Sequence, residues 1–286
     1  MPTLLVTCHP NDRFMTGGYL LHAMLMALKH SRVTLKVQRH WDERPPADLV
    51  IPHIDLTVWP ETLTDFLAHY PNVVNRRLTD IRKRRISRYL VGRDDAWDGP
   101  VIAKSDSNYG GFIDRKNLAV DAAPAAAAPK PSLPVHHGRY IVYPSIKSVP
   151  GFVWKDPAMV VERFLAERKG ELYGLRQLMV CDNRFVTRHQ WSTDPVVKGE
   201  SVVERRIIYD PPPPEVRAAI DEHGVDFGKV DFTIVDGRAY VFDIARTPTG
   251  PILIKEHPDV IAFLARGLHT LLARKTDRLP HATPPS

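Results

Sequence analysis

The sequence predicts an α/β (α+β) chain: a small parallel α/β unit followed by a larger part built from antiparallel hairpins. Three observations carry that expectation. Short apolar strands alternate with helical segments through the first ninety residues, the pattern of a parallel sheet covered by helices. Beyond about residue 100 the strands instead come in pairs joined by tight turns. The 286 residues are 43% hydrophobic and 25% charged, the balance of a globular chain with ample material for a core.

The first unit reads in order. TLLVT (3–7) is a buried strand, and about Met15 to Lys29 is a helix. VTLKVQ (33–38) alternates as a strand, and DLVIP (48–52) is a short buried one. A helix starts beside Pro60 and runs from about Glu61 to Tyr70; NVV (72–74) leads into a basic helix near 79–90. Parallel sheets of this kind bind ligands beyond the C-terminal ends of their strands, which singles out Cys8–Asp12 and His53–Asp55.

In the second part GPVIAKS is a strand and NYGG a glycine turn, while DAAPAAAAPKPSLP (121–134) is Ala/Pro-rich low-complexity sequence expected to form a mobile loop. GRYIVYP and AMVVERFL read as strands. LYGLRQLMV-CDN-RFVTRHQW is a hairpin, EVRAAIDEHG a helix stopped by Gly224, and FGKVDFTIV-DG-RAYVFDI a second hairpin on an Asp-Gly turn. A last helix covers about 257–274. The expected divisions are 1–78, 79–158, 159–275 and a tail at 276–286.

A net charge of +6 favours anionic partners such as nucleotides, phosphorylated metabolites or nucleic acid, although solubility alone accounts for it equally. Two cysteines make no disulfide framework, which fits a reducing compartment. The start MPTLLVTCHPND has no signal-peptide pattern, and YLLHAMLMAL is too short to span a bilayer. The expectation is a cytoplasmic protein with no membrane contact.

Three segments suggest one phosphate-and-metal site. Lys104 ends a strand and is followed by Gly110 and Gly111, whose backbone can approach phosphate oxygens closely. An exposed lysine ahead of a turn gives the same pattern. MVVERFL (159–165) is an apolar strand with one acid, Glu162, and its edge could read an adenine; a plain core strand looks alike. Asp231 and Asp243 sit five residues before and six after the Asp236–Gly237 turn, so they should lie nearly opposite each other near the hairpin's open end. Facing carboxylates repel unless a cation lies between them, and Mg²⁺ accepts such a pair. One buried and one solvated acid is the alternative.

The order and spacing of these segments, from about Asp80 to Pro251, resemble the ATP-grasp superfamily, whose members include D-alanine–D-alanine ligases, glutathione synthetases and glutamate-adding ligases. The resemblance implies an ATP-grasp fold behind a small preceding parallel α/β domain, with ATP and Mg²⁺ as cofactors. On it, DIRK (80–83) and VIAK bring Lys83 and Lys104 to the phosphates beside Gly110 and Gly111. VVERFL is similar to the adenine hinge, with backbone contacts at Glu162 and Phe164 and Leu165 beside the base. Glu167 or Glu171 would hold the ribose. GKVDF supplies Lys229 at the transferring phosphoryl group and Asp231 as a metal ligand, and FDIARTPTG supplies Asp243 as the second. The family's usual pattern there is E-x-N-x-x-P-G; this chain has Asp243 for the glutamate and Ala245 for the asparagine, and alanine cannot ligate a second ion.

Arg176, Arg188, Arg205 and Arg206 lie on strands that the resemblance puts along the cleft, and Arg176 and Arg205 are the candidates for holding substrate. The implied activity is an ATP-dependent carboxylate–amine (or thiol) ligase working through an acyl phosphate. Its partners would be a carboxylate-bearing small molecule or peptide and a nucleophilic acceptor, with a homodimer left open. The 115–150 segment would serve as a lid. A kinase on the same fold and a nucleotide-binding pseudoenzyme or interaction module are the alternatives. IRKRRISR (81–88) is a basic run, but no aromatic platform accompanies it, and nucleic acid is not the expected partner. The thirteen histidines show no zinc spacing.

Overall fold

A computed structural model describes residues 1–12, 14, 18–28, 32–118 and 140–274. The Ala/Pro-rich 121–134 stretch and the tail from 276 lie outside these residues, so the loop expected there is not described.

The first three strands, β1 (Thr3–Cys8), β2 (Thr34–Gln38) and β3 (Leu49–His53), form a parallel sheet in the order β2-β1-β3. Side chains alternate between its faces. Leu4, Val6 and Cys8 pack on Leu20, Leu21 and Met24 of α1 (Leu20–Ala27). Leu5 and Val50 pack the other way, on Leu63, Phe66 and Leu67 of α2 (Glu61–Ala68). Helices on both faces explain why β1 and β3 are apolar at nearly every position.

The basic helix expected over 79–90 is a single turn, α3 (Lys83–Ile86). Both flanks are drawn into extended pairing: Asp80 bridges to Val58, and Leu90 to Glu162. Ser87 then accepts the Tyr89 N–H and donates to the Glu162 carboxylate, which holds it out of helical geometry. The charge run conceals this, because its tertiary partners lie far away in sequence.

A second sheet has the order β5-β4-β6, all antiparallel, from β4 (Val101–Ser105), β5 (Ile141–Tyr143) and β6 (Met159–Arg163). Val101, Ala103, Met159 and Val161 face a core with Val153 of α5 (Gly151–Lys155). The alternate residues Ile102, Lys104 and Glu162 face a cleft. After β4 a short 3-10 turn, Asn108–Gly111, leads into α4 (Phe112–Leu118).

The third sheet runs β10-β9-β8-β11-β12, with β7 (Glu167–Lys169) also paired to β8. Its strands are β8 (Leu172–Cys181), β9 (Arg184–Ser192), β10 (Val202–Ile208), β11 (Phe227–Val235) and β12 (Arg238–Ala245). The β11–β12 turn has Asp236 at φ 50° and Gly237 at φ 76°, the left-handed pair that a two-residue hairpin loop needs. Leu178, Val180, Val230 and Phe232 pack on α6 (Pro214–His223). On the opposite face Met179, Cys181, Val186 and Phe227 pack in one core with Leu253 of α7 (Pro251–Glu256) and with α8 (Pro258–Ala273), α1 and β1. A Cβ on Gly267 of α8 would stand 2.2 Å from the Cys181 carbonyl oxygen, so the helix can lie this close only with glycine there. Cys8 and Cys181 are both free and buried. Among the described residues no helix is long and apolar enough to cross a membrane.

Candidate active site

The side chains in step with Phe227, Met179 and Val186 continue past the end of α8. On β11 they are Lys229, Asp231 and Thr233; on β8, Gln177 and Leu175; on β9, Arg188 and Gln190. They form one wall of a cleft of about 400 Å³. Ile102, Lys104 and Glu162 from the small sheet form the other wall. Seven basic and three acidic side chains line it, so the cleft suits an anionic ligand.

Asp231 and Asp243 are direct cross-strand partners. The register slips just beyond them: Phe232 pairs with Val241, leaving Phe242 as an extra residue. This bulge turns both Phe242 and Asp243 toward the cleft. Three lysines converge on the acids. Lys229 Nζ lies 2.7 Å from Asp231, Lys83 Nζ lies 3.8 Å from Asp243, and Lys104 pairs with Glu162 while standing 4.5 Å from the Phe242 ring centre. Lys83 is fully buried; burial works against its charge, but Asp243, Tyr140, Asp106 and Glu162 outweigh it and hold the ammonium above the usual lysine range. Tyr140 lies among Lys83, Lys104 and Lys198, with ammonium-to-ring distances of 6.0, 5.8 and 5.0 Å.

Other expected site residues fall elsewhere. Gly110 (φ 66°) and Gly111 (φ 68°) form the left-handed loop, but Asn108 and Tyr109 are the residues that reach the cleft. Glu162 reads nothing through its backbone, which pairs with Ile102 and Leu90, and its carboxylate holds Lys104 and Ser87. The Phe164 N–H donates to Pro100 O at 2.9 Å, so that donor is not open to a base. Leu165 does line the cleft, and its carbonyl accepts the Thr233 hydroxyl at 2.8 Å.

Glu167 is no ribose ligand in this arrangement. Its buried carboxylate takes Arg176 Nε at 2.9 Å and Nη2 at 2.8 Å and the Ile234 N–H at 3.0 Å, with His189 Nε2 3.2 Å away. Burial raises its pKa, but His189, Arg176 and the Ile234 N–H prevail and hold it down at about 2. Glu171 is fully exposed and 3.8 Å from Arg168, away from the cleft. Arg176 is in step with Leu178 and Val180, on the face turned from the cleft, and its guanidinium is committed to Glu167. Arg205 lies at the cleft rim with Nη2 3.3 Å from Gly199 O. Arg188 is the arginine inside: it donates to Gln177 Oε1, which also takes Gln190 Nε2 at 3.0 Å. Counting alternate residues back from Phe227 and Val186 would have separated Arg188 from Arg176.

Among the described residues no three His, Cys, Asp or Glu side chains cluster as a metal cage. One Mg²⁺ nevertheless fits the donors present, since it takes one or two carboxylates and keeps its waters. Asp231 Oδ1 is buried with no hydrogen-bond partner among the described residues, and an oxygen so placed is costly unless something binds it. Ala245, opposite Lys229, offers no ligand for a second ion.

No family model matches the sequence, and no curated protein matches it. Solved structures do match in fold. A Chryseobacterium gregarium RiPP-associated ATP-grasp ligase, in complex with ADP and a leader and core peptide, superposes with a TM-score of 0.56 at 10% identity, over 98% of this chain and 100% of that one. The ATP-grasp ligase PsnB, complexed with minimal precursor, gives 0.53 at 13% identity over 95% and 99%. D-alanine–D-alanine ligase from Bacillus anthracis gives 0.50 at 10% identity over 95% and 96%. The chain has the ATP-grasp fold.

Proposed function

We propose that the cleft binds ATP with Mg²⁺ and that the chain is an ATP-dependent carboxylate–amine (or thiol) ligase. The observation that carries this reading is the directly opposed pair Asp231 and Asp243, met by Lys229 and Lys83 in a net-positive cleft that Lys104, held by Glu162, also lines. Lys83 and Lys104 would neutralise the phosphates. Leu165, with Ile102 and Phe242, would clamp the base. Asp231 and Asp243 would hold one Mg²⁺, which when bound supplies charge neutralisation at the phosphoryl oxygens.

In the reaction a substrate carboxylate oxygen attacks the γ-phosphorus, the bond to the β-phosphate oxygen breaks, and ADP leaves. An amine nitrogen or thiol sulfur then attacks the acyl carbon of the resulting acyl phosphate, and inorganic phosphate departs with the bonding pair. Lys229 stands where negative charge builds during the first step, and a fixed ammonium there favours the transition state. Arg188, half-buried and without a carboxylate partner among the described residues, would orient the carboxylate. Two fold relatives carry precursor peptides in their complexes, so a peptide carboxylate stands beside a small-molecule one as substrate.

A second reading, a nucleotide-binding module without turnover, is favoured by Ala245 alone. Incubation with ATP, Mg²⁺ and mixed carboxylate and amine substrates separates the two. The ligase releases ADP and phosphate only when both substrates are present, and substrate-independent background alone would reject it.

A further inference from the structure

Beyond the cleft, every polar group of Thr57 is engaged. This residue lies in the irregular segment between β3 and α2. Its N–H donates to Asp114 Oδ1 at 2.6 Å and its hydroxyl to Asp114 Oδ2 at 2.7 Å. The hydroxyl oxygen accepts the Asn108 N–H at 2.9 Å. The carbonyl accepts Ile81 N–H at 3.0 Å and Arg246 Nη2 at 3.2 Å. Thr57, Asp114 and Arg246 are 3%, 5% and 2% exposed, so water cannot substitute for any of these partners.

The bonds reach both walls of the cleft. Asn108 opens the loop in which Tyr109, Gly110 and Gly111 all have positive φ. Tyr109, at φ 47°, is strained without glycine's freedom, and such a conformation persists only where the surroundings fix it. Thr57 fixes one end of the loop through Asn108 and the other through Asp114, on α4. On the opposite wall Arg246 follows Asp243 by three residues. Its guanidinium also donates to Leu78 O at 2.6 Å and to Leu56 O, and lies 4.4 Å from the Trp59 ring centre. Next to it the Thr247 hydroxyl donates to Asp55 Oδ1 at 2.9 Å. One short segment, Asp55–Trp59, therefore grips the glycine loop and the chain just past the β11–β12 hairpin together.

We propose that Thr57 is a positioning residue: its hydroxyl locks the Asn108–Gly111 loop to the segment between β3 and α2, whose carbonyls hold Arg246 in the post-Asp243 chain, and so sets the affinity of the cleft for nucleotide. The affinity part rests on the ATP reading; the locking does not. Valine at 57 keeps the shape but leaves the Asn108 N–H and Asp114 Oδ2 buried without partners, whereas serine keeps the hydroxyl.

Hydrogen exchange of the free protein is the first readout. In Thr57→Val the amides of 108–114 should exchange at least about tenfold faster, with Thr57→Ser at the unmodified rate. Calorimetry with Mg-ATP is the second: Thr57→Val should bind about tenfold more weakly and Thr57→Ser normally. Unchanged exchange at 108–114 in a folded Thr57→Val protein overturns the proposal, and so does equal damage from valine and serine. Should the valine variant unfold, Thr57→Ser decides alone: native exchange supports the hydroxyl lock and accelerated exchange contradicts it. If the unmodified protein bound no nucleotide, the ATP reading would fail while the exchange data still judged the lock.

Discussion

Glu167 and Asp231 both sit on strands of the large sheet with a basic side chain beside them, and the chain uses them in opposite ways. Glu167 is saturated, with Arg176, His189 and the Ile234 N–H sharing its two oxygens. Asp231 has Lys229 on one oxygen and, among the described residues, nothing on the other, and a second carboxylate directly opposite. The first arrangement is complete without a ligand and fastens β7 to β8, β9 and β11. In the second, Lys229 and Lys83 offset part of the repulsion between the two acids, and an oxygen of Asp231 is left for a further partner. A buried acid whose partners are all internal reads as structural, and one left short of partners reads as a binding group.

The largest effect that could break this contrast belongs to the β11–β12 hairpin. Asp243→Asn should lower ADP release at least about a hundredfold, because it removes charge where phosphoryl charge must be neutralised. Turnover equal to the unmodified protein would remove the metal assignment.

Glu167→Gln should do the reverse. It should cost about 3 kcal/mol of stability in denaturant titration, since Arg176 loses its buried counter-ion, and leave nucleotide affinity of the folded protein within about threefold. Acid gives the same information without mutation. The Glu167 pKa is depressed from 4.5 to about 2, so its stabilisation is complete above about pH 4.5 and disappears as pH falls toward 2. Stability curves of the unmodified and Gln proteins should therefore converge over that window, and parallel curves would contradict the tie.

Lys104→Met should weaken ATP binding about tenfold by calorimetry, as one phosphate cation is lost. It should also lower the melting temperature, because Glu162 remains buried with Ser87 alone. An unchanged affinity would mean that Lys104 serves only Glu162. Ala245→Asn should have the smallest effect, leaving ADP release similar or a few-fold higher. A drop of more than about tenfold would show that the buried site cannot take the larger side chain.

Much of this architecture follows from local sequence rules. Counting out of an Asp-Gly turn brings Asp231 and Asp243 to within one residue of opposition, which the bulge at Phe242 completes, and Gly224 ends its helix at φ 65°. Lys83, Lys104 and Lys229, far apart in sequence, line one cleft. What stayed hidden depends on faces and distant partners. Glu167 and Arg176 are nine residues apart across the short Gly170–Glu171 turn, and the sequence does not show that both turn to the same face. Glu162 looks like a solitary acid in an apolar strand until Lys104 and Ser87 are folded onto it. Thr57, an ordinary threonine in a loop, acquires its role through Asp114, 57 positions away, and Arg246, 189 away.

Calorimetric titration of ATP at zero and saturating Mg²⁺, into the unmodified protein and the Asp231→Asn and Glu167→Gln variants, tests the central claim most directly. The account predicts Mg²⁺-dependent binding that Glu167→Gln retains and Asp231→Asn loses. Absence of heat from the unmodified protein at saturating Mg-ATP, or equal Mg²⁺-dependent binding by Asp231→Asn, would contradict it.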